Sequence, residues 1–128
     1  MNCAHERRAA VREASCNDDD ETTAQAALSP LTADAPAGVA FEPVTVTAER
    51  YGAIPHSNVV CTRDNAIRTR LQRLMVQEID ALSARPTTVV EIDPSHSPFL
   101  SRPGLLADHV QAAHASTHRP GPTRTAGV

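Results

Sequence analysis

The chain contains no lysine and no tryptophan, and aromatic residues make up only 2% of its 128 positions. Phe41, Tyr51 and Phe99 are the whole aromatic set. Much of the remaining apolar content is alanine, which buries little surface, so the core this chain builds is small. All twelve basic residues are arginine, and the net charge is −3. That balance offers no electrostatic footprint for nucleic acid or an anionic membrane. No apolar run approaches the roughly 18 residues that cross a bilayer. The polar stretch Met1–Arg12 lacks the apolar segment of a secretory signal, so a cytoplasmic protein is expected.

Cysteine is scarce too. Cys3, Cys16 and Cys61 have no metal-ligand spacing, and an odd number argues against a disulfide framework. His109, His114 and His118 recur four to five residues apart, but no cysteine or carboxylate set completes a metal site around them. They read as solvated, and neither a metal nor another cofactor is called for.

What is present is organised into four stretches. Residues 1–16 are a charged, alanine-rich lead, either helical or disordered. Within residues 17–43, Asp18 followed by Glu21 resembles a capping box, and an alanine-rich helix should run from there to Leu28, stopped by Pro30. Residues 44–115 carry strand and helix patterns in alternation. Val44-Thr45-Val46-Thr47 is β-branched, Asn58-Val59-Val60-Cys61 has the apolar centre of a buried parallel strand, and Thr88-Val89-Val90-Glu91-Ile92 is a second strand. Between the last two, Ile67, Leu71, Leu74, Met75, Ile79 and Leu82 form an apolar stripe at helical spacing. A further helix should start at Ser101, with Leu105, Leu106, Val110 and Ala113 on its apolar side. Residues 116–128 have the composition of a disordered tail.

The order strand, helix, strand, helix from Asn58 to Ala115 describes a βαβα unit with two parallel strands joined by a right-handed crossover. Parallel sheets need cover on both faces, which two strands and two helices do not supply. The unit should therefore be the edge of a larger sheet, with an open side that a partner chain could cover.

In open α/β sheets, functional groups gather beyond the carboxyl ends of strands. Asp64 follows the first strand after Cys61-Thr62-Arg63, and His96 lies four residues past Ile92. Parallel pairing would bring carboxylate and imidazole to one rim, where an acid can orient a histidine for general-base work. Spacing alone favours a plainer reading, a helix-capping aspartate and a histidine in a proline-bracketed bend, since aspartate before a helix is common. The neighbourhood reverses that preference. Cys61-Thr62-Arg63-Asp64-Asn65-Ala66-Ile67, then Leu71-Gln72-Arg73-Leu74-Met75, then Asp93-Pro94-Ser95-His96-Ser97-Pro98-Phe99-Leu100-Ser101-Arg102-Pro103 resemble the α/β-hydrolase family, in its branch of plant methylesterases, hydroxynitrile lyases and bacterial relatives.

That resemblance, running from about Cys16 to Ala115, implies the C-terminal βαβα edge of an α/β-hydrolase sheet, incomplete, with a remnant of the helical cap in residues 17–43. It implies that Asp64 is the catalytic acid, His96 the catalytic base, and a small carboxylic ester the substrate of the intact parent. It also implies what is missing. The family's nucleophile is a serine in a Gly-x-Ser-x-Gly elbow, and no serine of this chain has that setting. The lyases of the branch carry lysine directly after the histidine, where Ser97 stands here, so esterase chemistry is favoured over cyanohydrin cleavage. Arg68-Thr69 replaces the proline that bacterial relatives tend to have at the following helix start. The expectation is thus a severed rear portion of an esterase, inactive alone and not stably folded alone. The alternative is a non-catalytic interaction module or half of a split hydrolase.

Overall fold

A computed structural model describes residues 3–32 and 38–117. The elements run α1 (Cys3–Ser15), α2 (Glu21–Leu28), α3 (Gly38–Phe41), β1 (Ser57–Cys61), α4 (Thr69–Asp80), β2 (Thr88–Ile92), α5 (Pro98–Ser101) and α6 (Pro103–Thr117). The lead is therefore helical over Cys3–Ser15. The tail expected over residues 116–128 is helical at Ser116 and Thr117, the end of α6, and from His118 onward it lies outside the described residues.

β1 and β2 form a two-stranded parallel sheet, with Ser57 opposite Thr88 and Cys61 opposite Ile92. Thr88 N–H donates to His56 C=O and Thr62 N–H to Ile92 C=O, both at 2.9 Å. Alternate residues of a strand bond to opposite sides. His56 and Thr62 turn to β2, so Ser57, Val59 and Cys61 turn their backbone groups to the open side. At Cys61 that side is already occupied, because the Gln72 carboxamide bonds both its N–H and its C=O. The exposed edge is confined to Ser57 and Val59.

α4 departs from its expected packing. Leu71, Leu74 and Met75 are each nearly half exposed, and the buried residue of the helix is Gln72. A two-stranded sheet is too narrow to cover the whole apolar stripe, and the hydrogen bonds to Cys61 turn Gln72 inward instead. The ends of α4 are tied polar to polar. Asp80 Oδ1 accepts from the Thr87 N–H (2.8 Å) and hydroxyl (2.6 Å), joining the helix end to the start of β2.

Three further expectations are corrected. Val44-Thr45-Val46-Thr47 forms no strand, and Val44 is 86% exposed. A β-branched run without a neighbouring strand has nothing to pair with. The cap of α2 is Asp20, whose carboxylate accepts from Thr23 N–H at 3.0 Å, while Asp18 is turned toward Ser95. The helix expected from Ser101 forms as α6, starting at Pro103 after the short α5, but Leu105 and Val110 of its expected apolar side remain exposed.

Among the described residues, the buried apolar side chains of the core include Cys16, Ala24, Leu28, Val60, Cys61 and Ile92. Three of them lie on or beside the α1–α2 hairpin and three on the carboxyl half of the sheet. The hairpin itself carries an Arg12–Glu21 ion pair at 2.6 Å, whose exposed setting makes it worth about 0–1 kcal/mol.

Gly52 sits in the turn before β1, its N–H donating to Thr47 C=O and its own C=O accepting from Ala84 N–H. A Cβ placed there would stand 2.2 Å from Leu82 O and 2.9 Å from Ala48 O. Both obstacles are backbone, so relief requires moving the turn. Gly52→Ala is expected to destabilise the fold by roughly 1–3 kcal/mol, seen as a lower midpoint in a circular-dichroism melt; an unchanged midpoint would contradict this packing.

Candidate active site

Asp64 and His96 stand on the loops that leave β1 and β2, and parallel pairing puts those loops on the same rim. Asp64 Oδ1 accepts from the backbone N–H groups of Ala66 and Ile67, each at 2.8 Å. Its other oxygen, Oδ2, lies 2.9 Å from His96 Nδ1. The aspartate side chain is 5% exposed and the imidazole 39%. With its proton on Nδ1, a neutral His96 donates to Asp64 and leaves the Nε2 lone pair free to accept a proton.

The sequence pointed to these two residues; several supporting ones escaped it. Gln72, which enters the sequence reading only within the Leu71–Met75 run, is buried and its Nε2 lies 3.3 Å from Asp64 Oδ2. The α1–α2 hairpin supplies the rest. Asn17 Nδ2 donates to Arg63 C=O at 3.0 Å, and Asn65 Nδ2 donates to Glu13 C=O at 3.2 Å. On the histidine side, Ser95 N–H donates to Asp18 Oδ2 at 3.1 Å and Ser95 Oγ donates to Ser15 C=O at 3.2 Å. Both loops are thereby fastened to one hairpin, by contacts 46 to 80 residues apart in sequence. No local periodicity encodes such pairs.

Ser95 and Ser97, the serines beside His96, are buried, and the Ser95 hydroxyl also accepts from Ser97 N–H at 3.4 Å. Ser95 is thus spent on the loop's own structure. Burial, reinforced by the charges of Asp64 and Asp18, raises the Cys61 thiol, which keeps it protonated and a poor nucleophile. Among the described residues, no three His, Cys, Asp or Glu side chains gather as a metal ion would require. No described helix is long and apolar enough to cross a membrane.

A groove of about 540 Å³ starts at Asp64, His96 and Pro98 and runs along the open side of β1 to His56 and Tyr51. Gln72, Met75, Val76 and Ile79 of α4 form its other wall. The Asp64–His96 pair therefore sits at the mouth of an open trough beside an unpaired strand edge.

Burial raises the Asp18 carboxyl, but hydrogen bonds from Ser95 outweigh it and hold the group below its ordinary value of 3.8. A lowered folded-state value stabilises the fold above 3.8, and that stabilisation is lost as pH falls through the folded value. Asp19 is shifted upward by burial and by the charges of Asp18 and Asp20, and works in the opposite sense. Asp18→Asn is therefore expected to lower the melting midpoint at neutral pH and to make less difference below pH 3.8. Melts of both proteins across that range check the sign, and a gap that stays constant would rule out the Asp18–Ser95 linkage.

Comparison with known proteins gives a partial likeness. Over 63 residues the chain is 35% identical to methylesterase 2 of Arabidopsis thaliana, a stretch amounting to 48% of this chain and 22% of that protein. The chain thus matches less than a quarter of its relative's length. No family model matches it. At the level these findings reach, the chain is a mixed helix-and-strand protein with a parallel strand pair and a distant, partial relationship to an esterase-like hydrolase.

Proposed function

We propose that this chain carries the acid–base half of an esterase-like α/β-hydrolase site, with Asp64 as the orienting carboxylate and His96 as the general base. The observation that carries the reading is the 2.9 Å contact of Asp64 Oδ2 with His96 Nδ1 at the carboxyl rim of two parallel strands. His96 Nε2 would take the proton of a serine hydroxyl as its oxygen attacks an ester carbonyl, then return it to the departing alkoxide. Asp64 would stabilise the transient imidazolium without taking the proton itself. The nucleophile and the donors for the oxyanion come from outside these 128 residues. Carboxylic esters are the substrate class. Ser97 after the histidine, and the absence of lysine, speak against cyanohydrin cleavage.

A second reading is favoured by the open edge of β1. Ser57 and Val59 present unpaired backbone groups along the groove, and an unpaired strand edge accepts a strand from elsewhere. On this reading the chain docks onto a partner, either as half of a split hydrolase or as a module without catalysis.

One experiment tests both. Alone, the purified chain is expected to hydrolyse 4-nitrophenyl acetate no faster than its His96→Ala variant. Co-expressed with the part of methylesterase 2 that precedes the shared stretch, it is expected to yield an esterase. His96→Ala should then lower the rate by a factor of about 10² to 10⁴. Activity indifferent to His96 would overturn the acid–base assignment. Val59→Pro removes an outward N–H that the β1–β2 ladder does not use, so it is expected to abolish association while sparing the fold. Association that survives it would exclude the β1 edge as the contact.

A further inference from the structure

Gln72 is the buried residue of α4, and its side chain meets four polar groups. Oε1 accepts from Cys61 N–H at 3.0 Å. Nε2 donates to Ile67 C=O at 2.6 Å and Cys61 C=O at 3.0 Å, and lies 3.3 Å from Asp64 Oδ2. Nε2 has two hydrogens for these three acceptors. The two shorter contacts take them best, and the carboxylate shares at longer range.

The two carbonyls bracket one loop. Cys61 closes β1, Ile67 stands just ahead of α4, and Asp64 lies midway between them. A single carboxamide therefore pins both ends of the loop that presents the acid. Asp64 is tied to the same loop end, since its Oδ1 accepts from Ala66 and Ile67 N–H. Oδ2 is then aimed by the loop, and Oδ2 is the oxygen on His96 Nδ1. Removing the carboxamide leaves Cys61 N–H, Cys61 C=O and Ile67 C=O without these partners, and buried polar groups so stranded drive a local rearrangement.

We propose that Gln72 is a positioning residue for the Asp64–His96 pair: its carboxamide holds the 62–66 loop closed, keeping Asp64 Oδ2 on His96 Nδ1 and the neutral imidazole in its Nδ1–H form. The proposal rests on reading Asp64 and His96 as an acid–base pair, but its test needs no ester. A partner-free neutral imidazole in water favours the Nε2–H form, and the hydrogen bond made by one nitrogen decides which of the two carries the proton. The tautomer of His96 thus reports whether Asp64 is in place.

The measurement is long-range nitrogen–proton NMR on the full 128-residue chain, labelled with nitrogen-15 histidine. It is made below the melting midpoint and about two pH units above the ordinary imidazole value of ~6.5. His96 of the unaltered chain is expected in the Nδ1–H form, and Asp64→Asn is expected to move it to Nε2–H. Gln72→Met, similar in shape but without the carboxamide, should give the same change while the chain stays folded. Gln72→Glu keeps an acceptor for Cys61 N–H but turns a carboxylate toward three acceptors, and should also lose the Nδ1–H signal. Gly52→Ala, destabilised far from the loop, should retain it. The proposal is overturned if the unaltered chain already shows Nε2–H, or if Gln72→Met melts earlier yet keeps Nδ1–H. Loss of the fold in both Gln72 variants would also overturn it, leaving Gln72 a purely structural residue. An esterase test that fails while the tautomer responds as expected would refute the hydrolase reading and leave this one standing.

Discussion

Parallel pairing of β1 with β2 is the constraint from which the rest of the molecule follows. Two antiparallel strands would send their following loops to opposite ends of the sheet. Two parallel ones send them to the same end, so Asp64 and His96, 32 residues apart, meet at hydrogen-bond distance. The intervening crossover also places α4 beside β1, and this lets Gln72 reach the strand's outward rung at Cys61.

A sheet this narrow is a poor platform, and the chain offsets that with polar fastening more than with apolar burial. Exposed Leu71, Leu74 and Met75 on α4, and exposed Leu105 and Val110 on α6, show how much apolar surface finds no cover. Order at the rim comes instead from side-chain amides, hydroxyls and carboxylates bonded to backbone: Asn17 to Arg63, Asn65 to Glu13, Asp18 to Ser95, Gln72 to Cys61. Such contacts are directional, so they fix loop geometry well. Each adds only about 0.5–1.5 kcal/mol net, so it takes several of them together to offset what the small core leaves wanting.

This division explains what the sequence revealed. β2 was legible over Thr88–Ile92 because β-branched residues flanked by Pro86 and Pro94 have few other readings. α2 was legible through its alanines and Pro30, although a run of three aspartates hides that Asp20, and not Asp18, caps it. The 44–47 run misled because strand character is realised only against a neighbour. Around the candidate site, Asp64 and His96 stood out through the runs Cys61–Ile67 and Asp93–Pro103 that surround them, since position after a strand suits a capping aspartate as readily. Gln72 did not, since helical periodicity gives no sign of how close its carboxamide comes to Cys61. The bonds that Ser95 donates to Asp18 and Ser15 were invisible for the plainer reason that 77 and 80 residues separate the partners.

Those long separations give the two rim loops a shared anchor. The closure between β1 and β2 spans 31 residues, whereas the bonds from the loops to the α1–α2 hairpin span 46 to 80. Loop closure grows costlier only slowly with length, so the longer spans add little to the cost of strand pairing. Because one hairpin holds both loops, a change within it reaches the carboxylate's loop and the imidazole's loop together, although it bonds neither of those two side chains.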